Sequence, residues 1–275
     1  MTGRGRGIPG KPGKRSAAGR RIPLLEFDPD RTALIEPLRA SGFNPKMPER
    51  VVMCFPNAVL QKYAQKKSLA VIGHLVCEST RYPVYLTRLG PVPVALAHPG
   101  IGAPLAAGLF EELIAMGGRK FVACGGCGVL DRELAVGHLL VASSAVRDEG
   151  TSYHYLPASR EVKASRAAVA AIESRLKKDD LPYLLVKTWT TDGMFRETKA
   201  RIRRRKAEGC LTVEMEGAAL FAVAKFRKVD AGLILYAGDD VSGEIWDNRG
   251  WQDRHDVRER LLELAIRSVV EMGGS

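Results

Sequence analysis

The chain has 275 residues, 45% of them hydrophobic, with 42 Lys and Arg against 31 Asp and Glu for a formal net charge of +11. That apolar content supports a sizeable core, and the length suits one α/β domain better than two small ones. No apolar run approaches the roughly 18 residues of a membrane span and the N-terminus has no apolar signal core, so a membrane protein is not expected and a cytoplasmic location is.

Residues 1–21 stand apart. They are rich in Gly and Pro and hold Arg4, Arg6, Lys11, Lys14, Arg15, Arg20 and Arg21 with no acid and no aromatic side chain, so most of the net charge is theirs. Such a segment buries too little apolar surface to offset its ordering entropy, and a disordered basic tail is expected, followed by one domain over residues 22–275. With nothing to stack on bases, the tail reads as a solubilising extension rather than a nucleic-acid arm. The basic run Arg201–Lys206 reads as a solvated helical face or a lid beside an anionic ligand.

In chain order, Val51–Phe55 is a short β-rich run closed by Pro56-Asn57, and residues 58–67 read as a helix. Val92–Ala97 is a buried strand candidate. It ends in His98-Pro99-Gly100-Ile101-Gly102-Ala103-Pro104, a glycine turn with proline at a first helical position. The helix that follows carries Leu105, Leu109, Leu113 and Met116 and stops at Gly117-Gly118. A strand at Lys120–Cys124 leads into a second glycine turn, Gly125–Gly128. Further strands are expected at 138–144, 184–189 and 233–237, and helices at 164–178, from Met215, and at 253–271. Strand then helix, repeated, predicts a single-domain α/β fold with a mixed, mostly parallel central sheet flanked by helices, and ligands at the carboxyl ends of the strands. Four turns fall at those ends: Pro99–Gly102, Gly125–Gly128, Thr190–Arg196 and Gly238–Asp240.

The stretch Val213-Glu214-Met215-Glu216 leads into apolar residues at helical spacing: Met215, Ala218, Ala219, Ala222, Val223 and Phe226. This predicts Glu214 and Glu216 in a first helical turn, ionised in the positive end of the helix dipole and able to accept hydrogen bonds from a vicinal diol. The plainer reading is two solvated acids that stabilise the helix start. Five cysteines without a secretion signal are expected to be reduced. Cys124-Gly125-Gly126-Cys127 has redox or metal spacing, yet no second CxxC or His pair completes a zinc set, and neither glycine turn has a dinucleotide or P-loop pattern. No metal and no organic cofactor are expected. His154, after Thr151-Ser152-Tyr153, either contacts substrate or hydrogen-bonds within its own loop.

Taken together, Gly-Ile-Gly-Ala-Pro at Gly100–Pro104, the glycine turn at Gly125–Gly128, Thr191-Asp192 before Phe195, Val213-Glu-Met-Glu216 and Gly238-Asp239 carry a resemblance. In order and rough spacing they are similar to the nucleoside phosphorylase family of hexameric purine nucleoside phosphorylase and uridine phosphorylase. So is the segment Ser143–His154, and the likeness spans about residues 22–272. It implies cleavage of the N-glycosidic bond of a nucleoside. Glu216 would hold ribose hydroxyls, with Met215 packed on the sugar and Glu214 beside it. Phe195 would stack on the base, with Thr191 and Gly126 near it. Asp239 would protonate the departing base, with Asp240 as the reserve, since Val241 matches the apolar residue that follows at that interval.

The departures concern phosphate. Where the family's phosphorylases carry a glycine, two arginines and a serine or threonine as phosphate contacts, this sequence has Pro56, Leu60, Ala123 and Gly126. Inorganic phosphate remains the expected co-substrate if Arg81, reaching a neighbouring subunit's site, and a nest of Gly125 and Gly126 N–H groups rebuild the anion site. Otherwise water is the acceptor, as in the family's nucleosidase branch. The family's N-terminal histidine for the ribose 5′-hydroxyl is replaced at best by Glu26. Arg196-Glu197-Thr198 stands where a uracil-reading Gln-x-Arg would be. A nucleoside-binding relative without turnover is a third reading. The resemblance also implies a homo-oligomer, from dimer to hexamer.

Overall fold

The computed structural model describes residues 22–37, 42–78 and 80–273; the basic segment 1–21 lies outside them. Ten strands form one sheet among the described residues: β1 (Arg50–Cys54), β2 (Ala70–Cys77), β3 (Thr80–Leu89), β4 (Val92–Ala97), β5 (Lys120–Val129), β6 (Leu139–Asp148), β7 (Glu161–Lys163), β8 (Tyr183–Thr191), β9 (Cys210–Glu214) and β10 (Asp230–Asp240). The helices are α1 (Asn57–Lys66), α2 (Ala103–Met116), α3 (Arg166–Lys178), α4 (Lys199–Ala207), α5 (Gly217–Arg227) and α6 (His255–Glu271). None is long and apolar enough to cross a membrane.

The side-chain alternation of the strands explains the two cores. Met53, Ala95, Ala97, Phe121 and Ala123 face one side of the sheet and pack under α2 and α5. Their neighbours Cys54, Val94, Leu96, Val122 and Cys124 face the other side, under α1, α3 and α6. Cys127 joins the first core and Cys124 the second, because three steps along a strand reverse the face. The CxxC spacing therefore does not bring its two thiols together; Cys124 lies beside Cys54 instead.

The sheet is mixed. β1 pairs in parallel with β4 and β5, and β3 and β2 continue from β4 as an antiparallel edge. On the other side the strands close on themselves. β10 pairs with β5 in parallel and with β6 antiparallel, β6, β8 and β9 run parallel, and β9 returns to β5. That last pairing is confined to Gly128–Val213 and Val129–Thr212, at the carboxyl ends of both strands. The seam draws the ends of β5, β9 and β10 together, and the cleft opens there.

Two sequence expectations change. Gly125–Gly128 is no turn: it continues β5, with no positive φ at any of its glycines. Those glycines make room for neighbours, since a Cβ at Gly125 would come within 3.0 Å of Phe55, one at Gly126 within 3.0 Å of Tyr236 and one at Gly128 within 2.9 Å of Val213. The helix expected from Met215 begins at Gly217, and the residues before it form β9. Glu214 ends a strand rather than opening a helix.

Candidate active site

The turn after β4 places the first wall of the cleft. Gly100 and Gly102 have φ of 77° and 87°, the left-handed region that favours glycine, and α2 starts directly after. The Gly102 N–H donates to Glu216 Oε1 at 2.6 Å, tying this turn to the start of α5 across more than a hundred residues of chain.

At the β9–α5 corner the two glutamates divide their work. Glu214 Oε2 accepts from the N–H groups of Glu216 (2.7 Å) and Gly217 (2.5 Å), and its Oε1 accepts from the Thr190 hydroxyl at 2.5 Å. The Thr190 oxygen in turn accepts from the Ala218 N–H at 2.9 Å. The unsatisfied donors at the start of α5 are thus capped from β8 and β9. Glu214 holds the corner, and Glu216, at the cap position itself, reaches the cleft.

Both carboxyls are buried, and burial outweighs the helix dipole. Loss of hydration, then the nearby Glu214, pushes Glu216 up to about 8, and burial raises Glu214 despite its hydrogen bonds. Against the expectation of two readily ionised acids, burial in the fold works against the charged form of both carboxyls.

The opposite wall comes from the end of β10. Asp239 lines the cleft and accepts from Trp246 Nε1 at 2.7 Å. Asp240, its reserve, points elsewhere: it is buried, pairs with Arg249 at 2.6 Å and accepts from the Ser242 N–H at 2.7 Å, and these partners hold its pKa below the usual range. Successive strand residues face opposite sides, so only one of the two can enter the cleft.

The cleft measures about 1080 Å³, at the upper end of the roughly 300–1,000 Å³ typical of small-molecule sites. Met215, Gly126 and Phe195 line it, with Phe195 93% exposed at the lip. Thr191 does not: its side chain is buried and accepts from the Gly193 N–H, closing the turn that carries Phe195. Gly125 packs against Phe55 behind the cleft, and its extended backbone forms no nest with Gly126. Arg81 is exposed on β3, outside the cleft of its own chain, as are Glu26 and His154. Arg205 of the basic run is no solvated residue; it is buried against Trp189 and paired with Asp148 at 2.7 Å. Leu60 and Ala123, expected to stand where the family's phosphorylases carry arginines, are core residues.

Several cleft residues were not singled out from the sequence. Glu197, without a side-chain hydrogen-bond partner among the described residues, is pushed up to about 7 by burial and then by Asp239. Tyr236, Trp246, Trp251 and Arg258 line the same space. Two of the chain's three tryptophans lying within six residues of one another, in a polar loop, was the available signal.

A twisted mixed sheet with helices on both faces and a carboxyl-lined cleft at its strand ends defines an α/β protein suited to a polyhydroxylated small molecule with an aromatic part. Residues 49–272 match the family model described as the phosphorylase superfamily, and the chain belongs to that family. Among curated proteins it is 27% identical to guanosine phosphorylase of Halorubrum lacusprofundi, over 73% of this chain and 85% of that one. It is 29% identical to uridine phosphorylase of Treponema pallidum, over 72% and 79%. Among solved structures, uridine phosphorylase of Vibrio fischeri superposes with a TM-score of 0.68 at 22% identity, over 84% of this chain and 94% of that one. An AMP nucleosidase of Bacteroides thetaiotaomicron gives 0.68 at 22%, over 82% and 89%; at these identities both speak for the fold alone.

Proposed function

We propose that the protein cleaves the N-glycosidic bond of a nucleoside as a phosphorylase-type pentosyltransferase, giving free base and a pentose 1-phosphate. The observation that carries this reading is the placement of Glu216 and Asp239, from elements distant in sequence, in one cleft with Phe195 at its lip. Glu216 holds ribose hydroxyls and Met215 packs on the sugar. Asp239, oriented by the Trp246 indole, passes a proton to the departing base. The names of the curated relatives, guanosine phosphorylase and uridine phosphorylase, support the same chemistry.

Hydrolysis is the second reading, favoured by the apolar burial of Leu60 and Ala123 where phosphate-binding arginines are expected. As an enzyme of nucleoside metabolism, the protein is placed by this reading in the cytoplasm and in a homo-oligomer, in which Arg81, exposed on β3, would serve a neighbouring subunit. The test is base release from purine and pyrimidine nucleosides, with and without phosphate. Wild type releases base, and Asp239→Asn lowers kcat by roughly 10²–10⁴-fold. Binding of nucleosides without any release by wild type would leave only a binding protein.

A further inference from the structure

A guanidinium is charged at every physiological pH and offers five N–H donors in a planar fork, so one that faces a cleft without a carboxylate is an anion site in waiting. Arg258, in the first turn of α6, is in that position. Among the described residues its guanidinium makes one hydrogen bond, from Nε to the Tyr236 hydroxyl at 2.8 Å, and no carboxylate pairs with it. The other cation lining the cleft, Lys199, is paired with Glu244.

Its orientation is fixed on two sides. The guanidinium carbon lies 5.1 Å from the centre of the Trp251 ring and 6.0 Å from that of Tyr236. The Tyr236 hydroxyl, besides accepting from Nε, donates to the Trp251 carbonyl at 3.4 Å. Both terminal nitrogens, Nη1 and Nη2, are without a partner among the described residues. The Tyr236 hydroxyl that holds Nε is itself packed on the glycine stretch of β5: a Cβ at Gly126 would come within 3.0 Å of it.

We propose, resting on the glycosidic cleavage argued above, that Arg258 binds the inorganic phosphate that attacks the ribose, with Tyr236 and Trp251 as its positioning residues. The bond from C1′ to the base nitrogen breaks and its electron pair leaves with the base. A phosphate oxygen forms the new bond to C1′, and in the balance the hydrogen of hydrogen phosphate ends on the base by way of Asp239. An arginine fork matches two phosphate oxygens at once, which the core side chains Leu60 and Ala123 cannot do. Asp239, Glu197 and Glu216 line the same cleft and would repel a dianion. Burial reduces that repulsion near neutrality, since Glu216 is pushed up to about 8 and Glu197 to about 7.

The same phosphoryl chemistry could be carried by the substrate, as in a nucleoside 5′-monophosphate, and the experiment separates the two sources. Base release is measured against phosphate concentration with a nucleoside, and against nucleoside 5′-monophosphate without phosphate, for wild type, Arg258→Gln, Arg258→Lys, Tyr236→Phe and the exposed charge control Arg260→Gln. The expected result is a KM for phosphate raised about tenfold or more in Arg258→Gln, with the nucleoside KM changed by less than about threefold. Arg258→Lys recovers part of the loss, Tyr236→Phe loses less, and Arg260→Gln matches wild type. Wild-type release that ignores phosphate, an unchanged phosphate KM in Arg258→Gln, or an effect confined to the monophosphate would each overturn the proposal. Phosphate-independent release leaves glycosidic cleavage standing with water as acceptor. If wild type releases no base at all, the function itself fails, and calorimetric titration of inorganic phosphate into wild type and Arg258→Gln still decides the site. Loss of binding in the variant supports it, and equal or absent binding overturns it.

Discussion

At the level of single residues, Glu216 shows how burial sets chemistry. Unfolded, its carboxyl releases its proton near the ordinary 4.5, whereas in the fold burial and Glu214 hold that proton up to about 8. Between those values the native state binds more protons than the unfolded chain, so stability falls as the pH rises through this window. Glu214 and Glu197, also raised by burial, add to the same trend. Denaturant melts from pH 5 to 8 should show this slope, flattened in Glu216→Gln, a variant that is also expected to raise the nucleoside KM by about tenfold. The adjacent aspartates separate the other way. Asp239→Asn leaves stability near wild type and loses turnover, while Asp240→Asn breaks a buried pair with Arg249 and destabilises by about 3 kcal/mol in thermal melts. That Asp239 faces the cleft follows from its family motif and strand alternation; that the pKa of Glu216 is raised does not, because hydration loss depends on what the chain folds over it.

Elements were legible to different degrees for identifiable reasons. The strands at Val51, Val92, Lys120 and Leu233 are short, apolar and bounded by turn residues, and each lies in a strand of the fold. The β2–β3 hairpin was missed because it is an edge: Val71 and Val76 are half exposed and Gly73 and Pro83 interrupt the pattern. β9 has no strand signal of its own in the sequence, and Met215, at helical spacing although it sits in the corner before α5, draws Glu214 into the expected first turn. The glycine stretch of β5 looked like a turn because sequence does not distinguish glycines needed for positive φ from glycines needed for space. Two alanine substitutions separate these roles. Gly126→Ala drives a methyl against Tyr236 and should cost about 1–3 kcal/mol while raising the phosphate KM. Gly102→Ala meets nothing within 4 Å but must hold φ near 87°, and should cost about 1–2 kcal/mol from backbone strain alone. Thermal melts with phosphate titrations distinguish the two.

Across the whole molecule, the cleft is assembled from the β4–α2 turn, the β9–α5 corner, the segment after β8 and the loop between β10 and α6, joined where the sheet closes on itself. A ligand that bridges these parts binds the folded chain and has nothing to bind in the unfolded one. A cleavable nucleoside's product pair at about a hundred times its dissociation constant should therefore stabilise by about 2.7 kcal/mol, raising Tm by roughly 5–10 °C; an unchanged Tm would count against a site spread over these elements. The sequence by itself determined the alternation of strands and helices and the motifs of the family, because periodicity, turn chemistry and spacing are local properties. Only the tertiary structure decided that Glu214 caps a helix while Glu216 faces the cleft, that Asp240 is tied to Arg249, and that Arg258 lines the cleft on the Tyr236 hydroxyl with no carboxylate partner among the described residues. Those roles depend on burial and on contacts between residues up to more than a hundred positions apart, which no local pattern records.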